Sequence, residues 1–268
     1  MTEDMRRTFR DVVRSVKLWH IWTHLGFLDL RMRFRRSAVG PGWVFLNLSV
    51  LVVAIGFIYA NLLGQDARQF VPYLTAGLIL WTYLTNSIVE GGNAFVNCEG
   101  YIKQISLPIY LYVLRAFVSV ALTAGITSMA FVLVALFYRI PMSAGTLFAV
   151  PGLLIVLAAS LLLITIFAHL NTRFRDIAHM ATVLLQVLFY ATPVIFPADL
   201  LLRRRPDLAF VIELNPMYHL IEFVRHPLLT GSPAAAHSYA AAGVILVVLF
   251  AGAGAVIAAF QRRIVFAL

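Results

Sequence analysis

The chain has 268 residues, of which 61% are hydrophobic and only 12% are charged, and its net charge is +9. A soluble domain is about half apolar and a quarter charged, so this composition excludes an ordinary soluble protein. The apolar residues fall in blocks of about 20, enough for a helix to cross a bilayer. The positive charge is therefore expected to mark cytoplasmic flanks instead of a nucleic-acid-binding surface. Cys98 is the only cysteine, which excludes an intrachain disulfide and a paired-cysteine metal site.

The segment before residue 41 is expected to form a cytoplasmic arm followed by a helix at the membrane interface. Residues 1–16 mix acidic and basic side chains and are predicted to be solvated and partly mobile. Residues 17–34 carry apolar side chains at helical spacing, namely Leu18, Ile21, Trp22, Leu25, Leu28 and Met32. A helix with one apolar stripe, tryptophan and a basic end is typical of the interface, although the same pattern fits an ordinary helix packed on protein.

A basic elbow joins this helix to the first apolar block. Its members are Arg31, Arg33, Arg35, Arg36, Gly40, Pro41 and Trp43. Gly40 suits the left-handed end of one helix, and Pro41 suits the first turn of the next. We expect the arginines to anchor the chain on anionic lipid and the helix before them to contact a partner.

Six apolar blocks predict an all-α membrane protein with six transmembrane helices. The spans cover about 43–63, 71–92, 110–137, 148–170, 178–196 and 239–260. Lysine and arginine are concentrated in the short segments that share a side of the membrane with the N-terminus, so both termini are predicted to be cytoplasmic. Residues 1–40 then form the arm and interfacial helix, and residues 41–268 form the transmembrane domain.

Residues 93–108, on the predicted cytoplasmic side, are too polar to span the membrane and too apolar to be a loose loop. They predict a short helix along the membrane surface, with polar side chains available to a partner. The plainer alternative is a helix that only caps the bundle. The residues expected to contact the partner are Asn97, Glu99, Gly100, Tyr101, Lys103 and Gln104.

Two short helices are predicted between the fifth and sixth spans. Asp207 is expected to cap a helix over 208–214, and Asn215 followed by Pro216 is a strong start for another. Glu222 precedes Arg225 by three residues and His226 by four, so it can pair with either. Helices of about ten residues reach only about 15 Å, so we expect both to be re-entrant and to gate the outer side. The expected gate residues are Asn215, Pro216, Tyr218, Glu222 and Arg225.

These motifs resemble, in the same order from about Leu25 onward, those of the ABC-2 type permeases. They are most similar to the branch that exports O-antigen, capsule and teichoic-acid polysaccharides. The matching stretches are Arg31–Trp43, Lys103–Pro108, Arg173-Phe174-Arg175-Asp176, and Asn215-Pro216-Met217-Tyr218-His219 with Arg225. Arg205 departs from the family pattern, which has a small or aliphatic residue before Pro206.

The resemblance implies a homodimer of six-helix subunits in the bacterial inner membrane, each bound to one ATP-hydrolysing subunit. Such a complex would move a lipid-linked polysaccharide, of the O-antigen kind, from cytoplasm to periplasm. The interfacial helix and residues 97–104 would hold the ATPases, and the outer helices would form the gate. ATP and magnesium would bind to the partner subunit, and this chain would have no catalytic residue, metal or cofactor of its own. The chain lacks a Gly-Lys-Ser/Thr sequence, which agrees with the absence of a Walker A loop.

Five aromatic residues are candidates for a glycan path, because sugars stack on aromatic faces: Tyr59, Trp81, Tyr83, Phe189 and Tyr190. An aromatic belt at the membrane interface is the alternative. That alternative fits Tyr59 better than Trp81 and Tyr83, which lie near the middle of the second span.

Three other functions stay open on the sequence. An ABC-2 permease for another lipid or a drug has the same architecture. A membrane-embedded polyprenyl-phosphate transferase needs clustered acids, whereas the acids here are scattered, and Asp176 beside Arg175 and His179 resembles a turn. A secondary transporter is expected to place charges or broken helices at the midplane, and the six blocks contain no midplane charge.

Overall fold

The computed structural model describes residues 3–64, 66–141 and 143–268, so the first two residues of the expected arm lie outside it. Within these ranges all regular secondary structure is helical, which confirms the predicted all-α class. The α-helices are α1 (Glu3–Lys17), α2 (Trp19–Arg33), α3 (Gly42–Leu63), α4 (Ala67–Val89), α5 (Glu99–Gln104), α6 (Tyr110–Tyr138), α7 (Ala149–Arg173), α8 (Asp176–Ala191), α9 (Ala198–Arg204), α10 (Ala209–Glu213), α11 (Pro216–Thr230), α12 (Ala236–Phe260) and α13 (Ile264–Ala267).

Four of the described helices are long and apolar enough to cross a membrane: α3, α6, α7 with the turn before it, and α12. They correspond to the spans predicted at about 43–63, 110–137, 148–170 and 239–260. The chain itself buries only 6% of the apolar window of α12 and 17% of that of α3. Both helices therefore keep a wide apolar surface, which is favourable against lipid or another apolar surface and unfavourable in water.

α4 is the central helix of the bundle and covers most of the span predicted at 71–92. Fourteen of its 23 residues are buried, in contact with α3, α6, α7 and α11. Because its side chains face protein, α4 accommodates polar residues such as Thr75 and Ser87. Ser87 Oγ lies 2.7 Å from Ser160 Oγ of α7. α4 ends at Val89 because Gly91–Asn93 forms a 3-10 turn.

α8 ends at Ala191, before the end predicted at 196. Thr192 is extended, with φ −98° and ψ 131°, as favoured for the residue before a proline, here Pro193. The 16 residues of α8 reach about 24 Å at 1.5 Å per residue. The predicted boundary at 196 is therefore wrong, and an irregular connection leads to α9.

α1 is a docked helix and not the solvated arm that its charges predicted. The Asp11 carboxylate accepts hydrogen bonds from the backbone N–H groups of Ile109 (3.2 Å) and Tyr110 (3.1 Å) at the start of α6. It accepts another from Gln261 Nε2 at 2.7 Å. A carboxylate at a helix N-terminus satisfies otherwise unpaired donors and interacts favourably with the helix dipole. Asp11 therefore holds α1 against both α6 and the end of α12.

α2 packs against α6 with a different face from the predicted stripe. Its buried residues are Gly26 and Leu30, and a Cβ at Gly26 would lie 2.7 Å from Val118 Cβ on α6. Met32, a member of the predicted stripe, is exposed. The interfacial role expected for the stripe stays a prediction. The contact with α6 was not foreseen, because closely packed helices favour a small residue at the contact and a hydrophobic pattern does not detect such a residue.

The elbow contains two left-handed residues. Arg36 has φ 73° and lies three residues after α2, whereas Gly40 has φ 61° and lies just before α3. The Gly40 N–H donates to Ser37 Oγ at 3.1 Å, and the Gly40 carbonyl accepts from the Trp43 N–H at 3.2 Å. Gly40 therefore has the predicted conformation, but it directs the chain into α3 instead of ending α2. Pro41 directly precedes α3.

The contacts define two ends of the bundle. The proximal end consists of α1, α2, residues 90–109, the turn between α7 and α8, and the residues after α12. The distal end consists of the α3–α4 and α6–α7 connections and residues 192–235. At the distal end, the Tyr73 hydroxyl donates to the Pro193 carbonyl at 3.0 Å, which joins the start of α4 to the end of α8.

Candidate functional site

Residues 90–108 present a polar surface at the proximal end. Phe95 and Ile102 are buried and fix this segment on the bundle, while other residues of α5 point outwards. The predicted partner contacts lie together here and are called the α5 surface: Asn97, Glu99, Gly100, Tyr101, Lys103 and Gln104. Glu99 is half-buried and the other five are exposed. The predicted short helix is thus present, with its candidate residues accessible.

An ion pair organises the α5 surface. Lys103 Nζ lies 2.6 Å from Glu99 Oε1, one helical turn away. The hydrogen bond from Lys103 lowers the pKa of Glu99, so this acid is ionised at neutral pH. An exposed pair contributes little to stability. The pair places opposite charges on the same surface as the exposed ring of Tyr101, which suits recognition of another protein surface.

Residues 90–108 are called the α5 segment. Asn171, near the end of α7, ties this segment to the turn between α7 and α8. Its amide nitrogen donates to Gly92 O at 3.3 Å and to Asn93 Oδ1 at 2.8 Å. Its amide oxygen accepts from the Ala178 N–H at 3.3 Å. Asn171 therefore connects the start of the α5 segment to both α7 and α8. The sequence placed Asn171 among the polar residues at the end of an apolar block and did not reveal these contacts.

Two ion pairs connect α2 and the elbow to the rest of the proximal end. Arg33 binds Glu90 through Nη1–Oε1 at 3.1 Å and Nη2–Oε2 at 2.6 Å. Deeper in the protein, Arg115 of α6 is 6% exposed and binds both carboxylate oxygens of Asp29. Of these four residues, the sequence placed only Arg33 in a candidate site. The partners lie 57 and 86 positions apart, so no local spacing reveals them.

The other elbow arginines have exposed side chains, at Arg31, Arg35 and Arg36, and Trp43 at the start of α3 is exposed as well. Their accessibility fits the expected contact with anionic lipid headgroups, which stays a prediction. The structure therefore divides the elbow into one arginine that pairs within the chain and three that lie at the surface.

A cavity of about 440 Å³ opens between α2, the α5 segment and α6. Its wall contains the two ion pairs, the amides of Asn93 and Asn97, and the rings of Tyr101 and Tyr112. The guanidinium carbon of Arg115 lies 5.4 Å from the centroid of the Tyr101 ring. Charged, amide and aromatic groups thus meet where the elbow, the α5 surface and the bundle join.

The connection between α8 and α12 differs from prediction before residue 215. α9 was not expected. The helix expected over 208–214 is a 3-10 turn, Pro206–Leu208, followed by the short α10. Asp207 pairs with Arg205, with Nη2 2.7 Å from Oδ2, instead of capping a helix. An ion pair between two residues that lie two positions apart therefore takes the place of the predicted cap.

The predicted start of α11 is confirmed. Asn215 Oδ1 accepts from the backbone N–H groups of Met217 at 3.0 Å and Tyr218 at 3.3 Å, and Pro216 is the first helical residue. The Asn215 amide nitrogen also donates to Thr192 Oγ1 at 2.8 Å. Asn215 therefore both caps α11 and holds it against the end of α8.

Arg225 is 1% exposed and joins α11 to α4 and α8. Its Nε and Nη2 donate to Glu222 Oε2 at 3.0 and 2.6 Å, and its Nη1 donates to the Pro193 carbonyl at 3.0 Å. The guanidinium carbon lies 3.8 Å from the centroid of the Tyr73 ring. The expected pairing of Glu222 with Arg225 is present, and it connects three elements at the distal end.

His226 completes this charged group. Its Nδ1 lies 3.6 Å from Glu222 Oε1, and the neighbouring carboxylate raises the pKa of His226. Burial favours the neutral acid at Glu222, but Arg225 and His226 outweigh it and lower the pKa of Glu222 to about 2. Glu222 is therefore ionised at neutral pH, and His226 gains positive charge beside it as the pH falls.

Three of the five aromatic residues proposed for a glycan path form a row. The Trp81 and Phe189 ring centroids are 5.3 Å apart, and those of Phe189 and Tyr190 are 5.6 Å apart. The row runs from the core, where Trp81 is buried, to the surface, where Tyr190 is 76% exposed. Among the described residues, Tyr83 in the core and Tyr59 near the end of α3 lie outside this row.

Four membrane-length apolar helices, an accessible polar surface at one end and a buried ion-paired helix at the other define a polytopic helical membrane protein. The family follows from comparison with known proteins. The chain belongs to the ABC-2 type transporter family, whose model matches residues 26–229. This range begins within α2 and ends in the last turn of α11, so it includes the elbow, the α5 surface and the pair formed by Glu222 and Arg225.

The chain is also similar to curated permeases. It is 26% identical over 194 residues to the O-antigen export system permease protein RfbA of Myxococcus xanthus, covering 72% of this chain and 74% of that protein. Two proteins of the same name from Klebsiella pneumoniae are 22% identical over 198 residues, with the same coverage. The resemblance to ABC-2 permeases, drawn from motifs, is thereby confirmed.

Proposed function

We propose that this chain is the transmembrane subunit of an ATP-driven exporter of a lipid-linked cell-surface polysaccharide of the O-antigen kind. The observation that carries the proposal is the similarity to O-antigen export permeases over nearly three-quarters of the chain. The family match over residues 26–229 supports it. Because the sequence has no Walker A loop, ATP and magnesium bind to a separate subunit in this proposal.

The proposed topology has six spans, with α4 and α8 added to the four membrane-length helices. The 23 residues of α4 reach about 35 Å, and its enclosure by other helices accounts for its polar content. α8 is shorter than the hydrocarbon thickness of about 30 Å, a mismatch that local thinning of the bilayer tolerates. α9, α10 and α11 then lie between the fifth and sixth spans, with α11 as the main re-entrant gate helix.

The proposed orientation follows from the distribution of basic residues. The distal end carries six of the 21 lysine and arginine residues, at Arg68, Arg139, Arg203, Arg204, Arg205 and Arg225. The proximal end carries 14, and Arg115 lies within α6. By the positive-inside rule, the proximal end and both termini face the cytoplasm of the bacterial inner membrane. The α5 surface then lies on the side where ATP is available.

The proposed complex contains two copies of this chain and two ATP-binding-cassette subunits, which dock on the α5 surfaces. The paired charges and exposed tyrosine of that surface support the assignment. Asn171 forms hydrogen bonds with both Gly92 and Ala178. These bonds support transmission of the docking motion to α7 and α8. The ring row of Trp81, Phe189 and Tyr190 is the proposed contact for the passing sugar chain.

Deletion of the gene in its own host tests the function. The expected result is loss of the surface polysaccharide and accumulation of its lipid-linked form in the inner membrane, both reversed by the intact gene. Unchanged surface polysaccharide would refute the proposal. Accumulation of a different lipid, with normal polysaccharide, would identify an ABC-2 permease with another substrate.

A charge-reversal experiment tests the docking surface. The double variant Glu99→Lys with Lys103→Glu keeps an ion pair within the chain but inverts the field that a partner meets. We expect normal membrane insertion and loss of co-purification with the ATPase subunit. The matched control is Arg205→Asp with Asp207→Arg, which inverts the exposed pair at the distal end and is expected to leave co-purification unchanged. If both double variants co-purify with the same amount of the ATPase subunit, the assignment of the α5 surface as the docking site is refuted.

A further inference from the structure

Two residues in the wall of the cavity between α2, the α5 segment and α6 carry polar groups without a partner. Arg115 Nη1 and the Tyr112 hydroxyl are buried and, within the described part of the chain, have no hydrogen-bond partner. Both residues belong to the cavity wall, and both are at least nine-tenths buried. Leaving buried polar groups unpaired is costly, and such groups are expected to be retained where a ligand pairs with them.

The charges of the wall are already balanced. Arg33 and Arg115 each form a two-hydrogen-bond pair with Glu90 and Asp29. An additional phosphate would lie close to two carboxylates and would be repelled by them. The cavity therefore favours an uncharged polar ligand over an anion.

We propose that this cavity binds a neutral sugar ring of the lipid-linked glycan, a subsite that rests on the exporter function proposed above. A sugar ring presents hydroxyls that both donate and accept, which matches a wall of carboxylates, guanidinium groups and the Asn93 and Asn97 amides. The exposed ring of Tyr101 offers an apolar face for stacking. The volume of about 440 Å³ falls within the range of small-molecule sites, about 300–1,000 Å³.

The position of the cavity specifies which sugar it holds. It lies beside α2 and the elbow, where the chain turns into α3, and thus at the cytoplasmic boundary of the membrane in the proposed orientation. A sugar at this depth is one adjacent to the lipid carrier, whereas later sugars extend away from it. The same wall includes Tyr101 and Asn97 of the α5 surface, so sugar binding and ATPase docking would share residues.

Substitution of Tyr112 by phenylalanine isolates the contribution of the Tyr112 hydroxyl to sugar binding. This change removes a hydroxyl that has no partner in the chain, so the ligand-free protein should not lose stability. The matched control is Tyr110→Phe, two residues earlier on α6, whose hydroxyl lies 3.2 Å from Thr165 Oγ1. The control removes a hydrogen bond within the protein and leaves the cavity wall unchanged. Asn97→Ala provides a second change within the wall.

The test measures binding of methyl glycosides of glucose, galactose, mannose and N-acetylglucosamine to the full chain in nanodiscs, by saturation-transfer NMR. Inorganic phosphate and pyrophosphate serve as anion probes. We expect at least one glycoside to bind, with affinity lowered about three- to tenfold by Tyr112→Phe and by Asn97→Ala, and unchanged by Tyr110→Phe. The thermal midpoint of ligand-free Tyr112→Phe should equal or exceed that of the wild type.

Absence of glycoside binding, equal binding by wild type and Tyr112→Phe, or binding of the anions alone would overturn the proposal. The gene-deletion experiment keeps this inference separate from the exporter function. If deletion abolishes surface polysaccharide while no glycoside binds, the sugar subsite is refuted and the exporter function stands. If deletion leaves the polysaccharide unchanged, the exporter function is refuted, and a bound glycoside could not then be assigned to exported glycan.

Discussion

Arg33 and Glu90 form a two-hydrogen-bond ion pair between the elbow and the end of α4, with Nη2 2.6 Å from Oε2. The two side chains are 40% and 35% exposed, so solvent screens the pair and its contribution to stability is small. Its position is more informative than its energy, because it links the elbow to the segment that leads into α5. Arg33 therefore serves a different purpose from Arg35 and Arg36, which lie at the surface.

Reversing this pair should separate positioning from lipid anchoring. Arg33→Glu and Glu90→Arg are each expected to lower ATP-driven export, while the double variant restores most of it, because the double variant re-forms the pair. The loss in unfolding free energy should be below about 1 kcal/mol for either single variant. Export is measured with reconstituted complexes, and stability is measured by the thermal midpoints of the variants. Arg35→Glu is the control, and Glu90→Arg should not reverse any export defect that it causes. If Glu90→Arg did reverse it, the specific pairing of Arg33 with Glu90 would be contradicted.

Asn171→Ala should uncouple the α5 segment from the turn between α7 and α8. The change removes three hydrogen bonds from a buried side chain and leaves the Gly92 carbonyl and the Ala178 N–H without that partner. We expect a loss of about 1–3 kcal/mol in unfolding free energy. In the complex, ATP hydrolysis should persist while export falls. Asn61→Ala, which removes an exposed hydrogen bond within α3, is the control. Parallel loss of ATP hydrolysis and export would argue against a transmitting role.

Gly152→Ala should displace α11. A Cβ at Gly152 of α7 would collide with the carbonyl oxygen of Phe223 in α11, whereas Gly125 of α6 has open space at the corresponding position. Overpacking of this kind costs about 1–3 kcal/mol, so Gly152→Ala should lower the thermal midpoint and Gly125→Ala should not. The relevant measurement is thermal unfolding in detergent or nanodiscs. Equal midpoints for the two variants would show that the contact between α7 and α11 is not tight.

Stability at the distal end should depend on pH through His226. Since Glu222 raises the pKa of His226 above its ordinary value of 6.5, protonated His226 stabilises the fold. This contribution is complete below about pH 6.5 and is lost as the pH rises through the raised pKa. Glu222, with a pKa of about 2, stays ionised across that window.

We therefore expect the wild-type thermal midpoint to fall, relative to that of His226→Gln, as the pH rises above about 6.5. The effect should be about 0.5 kcal/mol, because the His226 side chain is partly exposed and solvent screens the interaction. A constant difference between the two proteins over this range would contradict the assigned interaction. His179→Gln, at the opposite end of the bundle, is the control.

The sequence predicted the helical class, four spans that match membrane-length helices, the short α5 and the capped start of α11. Each of these depends on composition or on spacing within one turn of helix, as in Asn215 followed by Pro216. The predictions failed where the outcome depended on packing between distant segments. Asp11 in the expected arm binds the start of α6, and the contact of α2 with α6 at Gly26 was not foreseen.

The candidate site shows the same division. The α5 surface was predictable because polar residues stood together between apolar blocks, and the pair formed by Glu222 and Arg225 was predictable because three residues separate them on one helix. Arg115 and Asp29 were not predictable, since 86 positions separate them and each is an isolated charge in its own segment.

The sequence by itself determined that the chain carries apolar helices long enough to cross a membrane. This property follows from an additive feature, the transfer of apolar side chains out of water. Only the tertiary structure decided which charges pair, which face of α2 is buried, and that a cavity lies between the elbow, α5 and α6. These outcomes depend on the close approach of segments far apart in the chain, where short-range packing and the cost of leaving buried polar groups unpaired select one arrangement.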